Sequence, residues 1–175
     1  QLLELKETRT ETLEAMSEIE KKVDELLRVR LVDDSIPERT KAHNFMVIMP
    51  LESYRQSIVT KKGITFRCQD RVAILAPANG RVAYLGQLGN LGEVAIIDHG
   101  GEYRSILLGK ATYTVGNGAN ISKGDVIGHA KVDGLSDKSS GQIYFEIRHK
   151  NVPKPVTSFI DSKYTVSLNG SKNIH

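Results

Sequence analysis

Five histidines (His43, His99, His129, His149 and His175), one cysteine (Cys68) and 21 acidic residues are the groups of this 175-residue chain able to hold a metal or move a proton. A zinc site needs imidazoles, thiolates or carboxylates converging on one point. No two histidines stand four apart, so no helical zinc pair is encoded. Asp98 and His99 are adjacent, and on a strand such neighbours point to opposite faces and form no dyad. Each histidine reads first as a satisfied or solvent-exposed side chain. The lone cysteine excludes an intramolecular disulfide and a cysteine-rich zinc module, and it leaves the redox compartment open. A different pattern stands near the carboxyl end. Tyr144, Glu146 and Arg148 are spaced by two, so on a strand they share one face. They compose either a solvated surface or a recognition site. Tyr and Arg are frequent interface hot spots, and Arg grips a carboxylate with two hydrogen bonds.

The elements that must position these groups are mostly strands. From about Phe45 onward, short β-rich runs alternate with Gly or Asn turns. The runs are Val72–Leu75, Arg81–Leu85, Glu93–Asp98, Tyr103–Leu108, Val126–His129 and Gln142–Arg148. Many short strands at close spacing predict an all-β sandwich or barrel over 45–162. Residues 150–155 read as a break, 156–160 as the closing segment and 163–175 as a polar tail.

The amino-terminal stretch has another texture. Residues 2–31 hold no Gly and no Pro, and helix formers dominate. Leu2, Leu5, Arg9, Thr12, Met16, Ile19, Val23 and Leu26 step by three and four, a heptad seam with a weak middle. The spacing predicts a coiled-coil helix over 1–36, roughly 45 Å long at 1.5 Å per residue. Residues 37–50 read as a linker or a short regulatory helix over 36–48, with Pro37 near its start and Pro50 at its end. Residues 1–34 carry six bases and ten acids, and the remainder carries 18 bases and 11 acids. A basic body on an acidic arm suits an anionic partner for the body. No basic run with interleaved aromatics supports nucleic acid. No apolar run approaches the ~18 residues of a membrane helix. The chain opens at Gln1 without a signal segment, which is read as a processed or truncated start.

Three segments in order, 76–82 (APANGRV), 92–100 (GEVAIIDHG) and 115–128 (VGNGANISKGDVIG), followed by 141–148 (GQIYFEIR), resemble a LytM/lysostaphin-type domain. That is a zinc-peptidase fold acting on peptidoglycan, and the resemblance covers roughly residues 45–160. It implies a mainly β, LytM-type sandwich or barrel-like domain preceded by a long α-helix. It also implies where a metal would be held. By the family pattern, a ligand His falls at Lys61, a ligand Asp at Thr65, a loop His near Gly109 and a His pair at Gln142 and Tyr144. A Lys ammonium offers no lone pair, Gly has no side chain, and Thr, Gln and Tyr are poor zinc ligands here. No cofactor, no bound metal and no catalytic residue are therefore expected.

Within that family the chain resembles EnvC-like murein hydrolase activators, in which a metal-free groove switches on a peptidoglycan amidase. The resemblance implies Lys62, Tyr144 and Arg148 as partner-binding residues. It also implies an exported, periplasmic protein, a peptidoglycan amidase as partner, and a coiled coil docking on an ABC-transporter-like division complex, with peptidoglycan itself as a further ligand. Segment 31–58 could then fold over the groove. Two other readings stand beside it. Zinc could bind through His99, His129 or His149 in an atypical endopeptidase. Residues 79–82 and 115–127 also look like halves of a lipoyl-type adaptor domain, with Lys123 at a turn.

Overall fold

The computed structural model describes residues 45–69, 71–132 and 141–160, together with Lys21, Asp24 and Glu25. The chain divides into two units, Gln1–Pro37 and Glu38–His175. In the first unit the three described residues have helical backbone and are exposed. The rest of the helix expected over 1–36, and the tail expected over 163–175, lie outside the described residues.

The described part of the second unit is mainly β, with eleven strands. They are β1 (Gln56–Val59), β2 (Ile64–Cys68), β3 (Ala73–Leu75), β4 (Gly80–Gln87), β5 (Glu93–Gly100) and β6 (Tyr103–Gly109), then β7 (Ala111–Tyr113), β8 (Asn120–Ile121), β9 (Val126–Ala130), β10 (Gly141–His149) and β11 (Val152–Lys154). One large sheet runs β1-β2-β10-β6-β5-β4-β8, with β11 also paired to β10, and a small sheet runs β3-β9-β7. Every paired strand is antiparallel. The six runs expected from the sequence correspond to β3, β4, β5, β6, β9 and β10.

The alternation of these strands builds the core. Ile64, Phe66 and Cys68 of β2, Ile143, Phe145 and Ile147 of β10, Leu107 of β6 and Ile97 of β5 share one cluster with Ile74, Ile127 and Ala130 of the small sheet. Phe66 and Phe145 are completely buried. Each such side chain contributes about 1.5–3 kcal/mol by leaving water. The residues of opposite parity in β2 and β10 lie on the other face of the large sheet.

Two expectations fail here. The helix expected over 36–48 is absent in its described part. Val47 bridges Ile160 in parallel, its N–H donates to the Phe159 carbonyl at 2.8 Å, and Ile48 N–H donates to the Pro77 carbonyl at 2.9 Å. Val47, Met49 and Leu51 are all buried, a period of two that belongs to extended chain and not to a helix. The break expected at 150–155 is instead a hairpin. Lys150 and Asn151 have φ of 52° and 66°, the left-handed pair of a two-residue turn. β11 returns along β10, pairing Ile147 with Lys154 and His149 with Val152.

Candidate functional site

β2 and β10 bring the expected positions together on the sheet face away from the core. Thr65 pairs with Tyr144, and Gln142 pairs with Arg67. Tyr144 also pairs with Leu108, Glu146 with Ile106 and Arg148 with Arg104. Thr65, Gln142, Tyr144, Glu146 and Arg148 therefore share one surface. Lys61 and Lys62 are exposed between β1 and β2. Thr60 fixes that turn, its hydroxyl oxygen accepting from Gly63 N–H at 3.2 Å and its hydroxyl donating to the Gly63 carbonyl.

Tyr144 lies against this turn. A methyl group added at Gly63 would sit 2.7 Å from the Tyr144 ring and hydroxyl. The Tyr144 hydroxyl donates to Glu146 Oε2 at 2.7 Å. Arg148 Nε donates to Glu146 Oε1, closing a salt bridge. Tyr144 is 3% exposed, Glu146 0% and Arg148 3%. The solvated-surface reading of this triad is thus excluded. A carboxylate so deep is tolerable only because charge and hydrogen bonds meet it.

This arrangement does not fit zinc. At the expected metal and catalytic positions stand an exposed ammonium (Lys61), a half-buried hydroxyl (Thr65), an exposed carboxamide (Gln142) and a phenol committed to Glu146 (Tyr144). At Gly109 the backbone itself forbids a side chain, because a Cβ there would stand 2.2 Å from the Gln142 carbonyl oxygen. Among the described residues no group of three or more His, Cys, Asp or Glu is placed to hold a metal ion.

The described histidines are occupied elsewhere. His99 Nδ1 lies 2.7 Å from the Asn79 carbonyl and Nε2 lies 2.7 Å from Ser105 Oγ. Nδ1 therefore carries the proton, and Nε2 accepts from the serine hydroxyl. Burial pushes His99 below its ordinary pKa, opposed by the Asn79 hydrogen bond and the Asp98 charge. Asp98 does not touch His99 through a hydrogen bond; its Oδ1 accepts from Gly100 N–H at 2.9 Å. His149 stacks on Tyr103 with ring centres 4.0 Å apart and planes at 12°. Phe45 stacks on the same tyrosine at 4.5 Å and 19°. His129 belongs to the small sheet, opposite Ala73 and Thr112. Lys123 N–H donates to Asn79 Oδ1 at 2.8 Å in a turn closed by Asp125 on Ser122 N–H.

Arg67 was not among the sequence candidates. It alternates with Phe66 and Cys68 of the core and so faces outward with Thr65. Its Nε is buried and bonds to nothing. An orphaned donor of this kind costs about 1–3 kcal/mol.

The model of the Peptidase M23 family matches residues 59–156. A curated relative, the uncharacterized protein NMB1333 of Neisseria meningitidis serogroup B, is 36% identical over 73 residues, which are 42% of this chain and 12% of that protein. A solved Pseudomonas aeruginosa structure assigned to peptidase M23 superposes with a TM-score of 0.61 at 18% identity, covering 79% of this chain and 60% of that one. A chain of the SpoIIQ–SpoIIIAH pore-forming complex superposes with a TM-score of 0.51 at 21% identity, covering 77% and 83%. At such identities the two structures speak for the fold. The chain spans less than two thirds of NMB1333 and of the Pseudomonas protein.

Proposed function

The chain belongs to peptidase family M23, and on that premise we propose that it is a catalytically inactive member that binds and activates a peptidoglycan amidase. The bond cut is the one between N-acetylmuramic acid and L-alanine, and the setting is the bacterial periplasm during cell separation. One observation carries the reading. The positions where this family pattern holds zinc or catalytic histidines carry Lys61, Thr65, Gln142 and Tyr144, and Tyr144 is tied into a buried relay with Glu146 and Arg148. Hydrolysis needs a metal-held water or another activated nucleophile, and this donor set supplies neither. What remains is a rigid β-face with cationic edges, suited to recognition. Likeness to a chain from a protein–protein complex supports that direction.

In this reading Lys62 contacts the partner directly, since it is exposed. Tyr144 and Arg148 shape the contact from beneath, as both are buried. Arg148→Ala would take a charge away from the buried Glu146 carboxylate and so disturb folding as well as binding. The amino-terminal heptads would dock on an ABC-transporter-like division complex, and peptidoglycan is a further ligand.

Dye release from purified, labelled peptidoglycan tests the proposal. The protein alone should release nothing, and the protein with its cognate amidase should exceed the amidase alone. Lys62→Ala and Tyr144→Phe should each reduce the enhancement while the circular dichroism spectrum is unchanged. Stoichiometric zinc in protein purified without a histidine tag, or dye release by the protein alone, would overturn it.

A further inference from the structure

Across the large sheet one row reads Gln56, Arg67, Gln142. Gln56 is the register partner of Arg67 on β1, and Gln142 is its partner on β10. In an antiparallel sheet such neighbours have Cα atoms about 4.5–5.5 Å apart, so Gln56 and Gln142 leave the sheet on either side of Arg67 and on the same face. The row adjoins Thr65 and Tyr144 and includes Gln142, one of the former metal or catalytic positions of the family pattern. Gln142 is exposed, and Gln56 and Arg67 are half-buried, so the row is open to a partner where Tyr144 and Arg148 are not. Arg67 Nε is the second observation: it is a buried donor without an acceptor. Along the segment that carries Arg67 the charge has one sign. Residues 55–69 hold Arg55, Lys61, Lys62 and Arg67 and no acid.

We propose that the Gln56–Arg67–Gln142 row is a carboxylate receptor that takes an Asp or Glu side chain from an acidic segment of the protein docked on this face. The guanidinium fork matches a carboxylate geometrically. Its Nε–H, buried in the free protein, would gain the acceptor it lacks once the guanidinium turns onto the carboxylate, and the two carboxamides donate at the sides. The cation site of the family pattern is thereby inverted into an anion site. This rests on the reading that a protein binds this face, and it adds which chemical group of that protein is gripped and by which residues.

The test needs no amidase. The arginine Nε–H signals of the 175-residue chain are followed by nuclear magnetic resonance while an acetylated, amidated tetraglutamate peptide is added. The Arg67 signal, identified by its loss in Arg67→Lys, should shift saturably with millimolar affinity, as expected for a few charged contacts. The matching tetraglutamine peptide should leave it unmoved. Gln142→Ala, at an exposed position, should weaken binding about threefold. Absence of a glutamate-induced shift, or an equal shift with glutamine, would overturn the receptor. A shift with soluble peptidoglycan fragments but not with tetraglutamate would also overturn it, assigning the row to the polymer. Amidase activation that persists while these shifts fail would leave the proposed function standing without this receptor.

Discussion

Replacing Glu146 by Gln removes one charge from the relay and almost nothing else. Glu146 is 0% exposed and Arg148 3%, so the guanidinium left behind would remain buried without the Glu146 charge. Breaking such a pair from one side costs about 3–5 kcal/mol. Glutamine still offers a carbonyl to the Tyr144 hydroxyl, which keeps that bond's contribution of about 1 kcal/mol. The cost should therefore lie near the lower end, about 3 kcal/mol, which for a domain of this size lowers the melting temperature by roughly 10 °C. Replacing the pair together, Glu146→Leu with Arg148→Met, removes both charges and should recover part of the loss, less the Tyr144 hydrogen bond that goes with the carboxylate. Urea unfolding followed by circular dichroism measures all three proteins. If Glu146→Gln falls within about 1 kcal/mol of the parent, or the double variant is no more stable than the single, the relay does not hold this face as argued.

Three further outcomes follow from the same geometry. His99 is held neutral by burial, so as pH falls below about 6.5 the unfolded chain takes up its proton first. Stability should then be full above that pH and decline toward the lowered folded value, with a smaller decline in His99→Gln; a flat midpoint between pH 7.5 and 5.5 would contradict it. Gly109→His places a side chain against the Gln142 carbonyl, 2.2 Å from its Cβ. It should cost about 2 kcal/mol or more in urea unfolding and gain no zinc by metal analysis. Burial pushes the Cys68 thiol up to about 11, so a disulfide reagent at pH 8 should react only as fast as the domain opens; reaction within mixing time would contradict this.

The strands that β-branched residues and glycine turns announce were legible in the sequence, as were the shared face of Tyr144, Glu146 and Arg148 and the separation of Asp98 from His99. What escaped did so for physical reasons. β2 alternates, with Ile64, Phe66 and Cys68 buried, but three apolar residues separated by Thr65 and Arg67 make a run too short to announce a strand, and Arg67 goes unmarked with it. β11 contains Pro153, which reads as a break, yet a strand paired on one side tolerates a residue without an N–H. The extended run through Val47 and Met49 resembled a helix because Pro37 and Pro50 frame it as helix punctuation would. Burial of the triad could not be read at all. A Tyr-Glu-Arg face on a strand has the same pattern whether wet or dry, and only the pairing of Arg148 onto Glu146 decides it.

The ring column at the end of the sheet has a use of its own. The chain has no tryptophan, so its near-ultraviolet optical activity comes from tyrosine and phenylalanine. Tyr103 is clamped between Phe45 and His149 at 4.5 and 4.0 Å, a rigid chiral setting that gives it a signal above that of tyrosines free to reorient. Phe45 leads into Val47, which bridges Ile160, so this column is a label-free optical gauge of whether that segment stays seated while a partner is added.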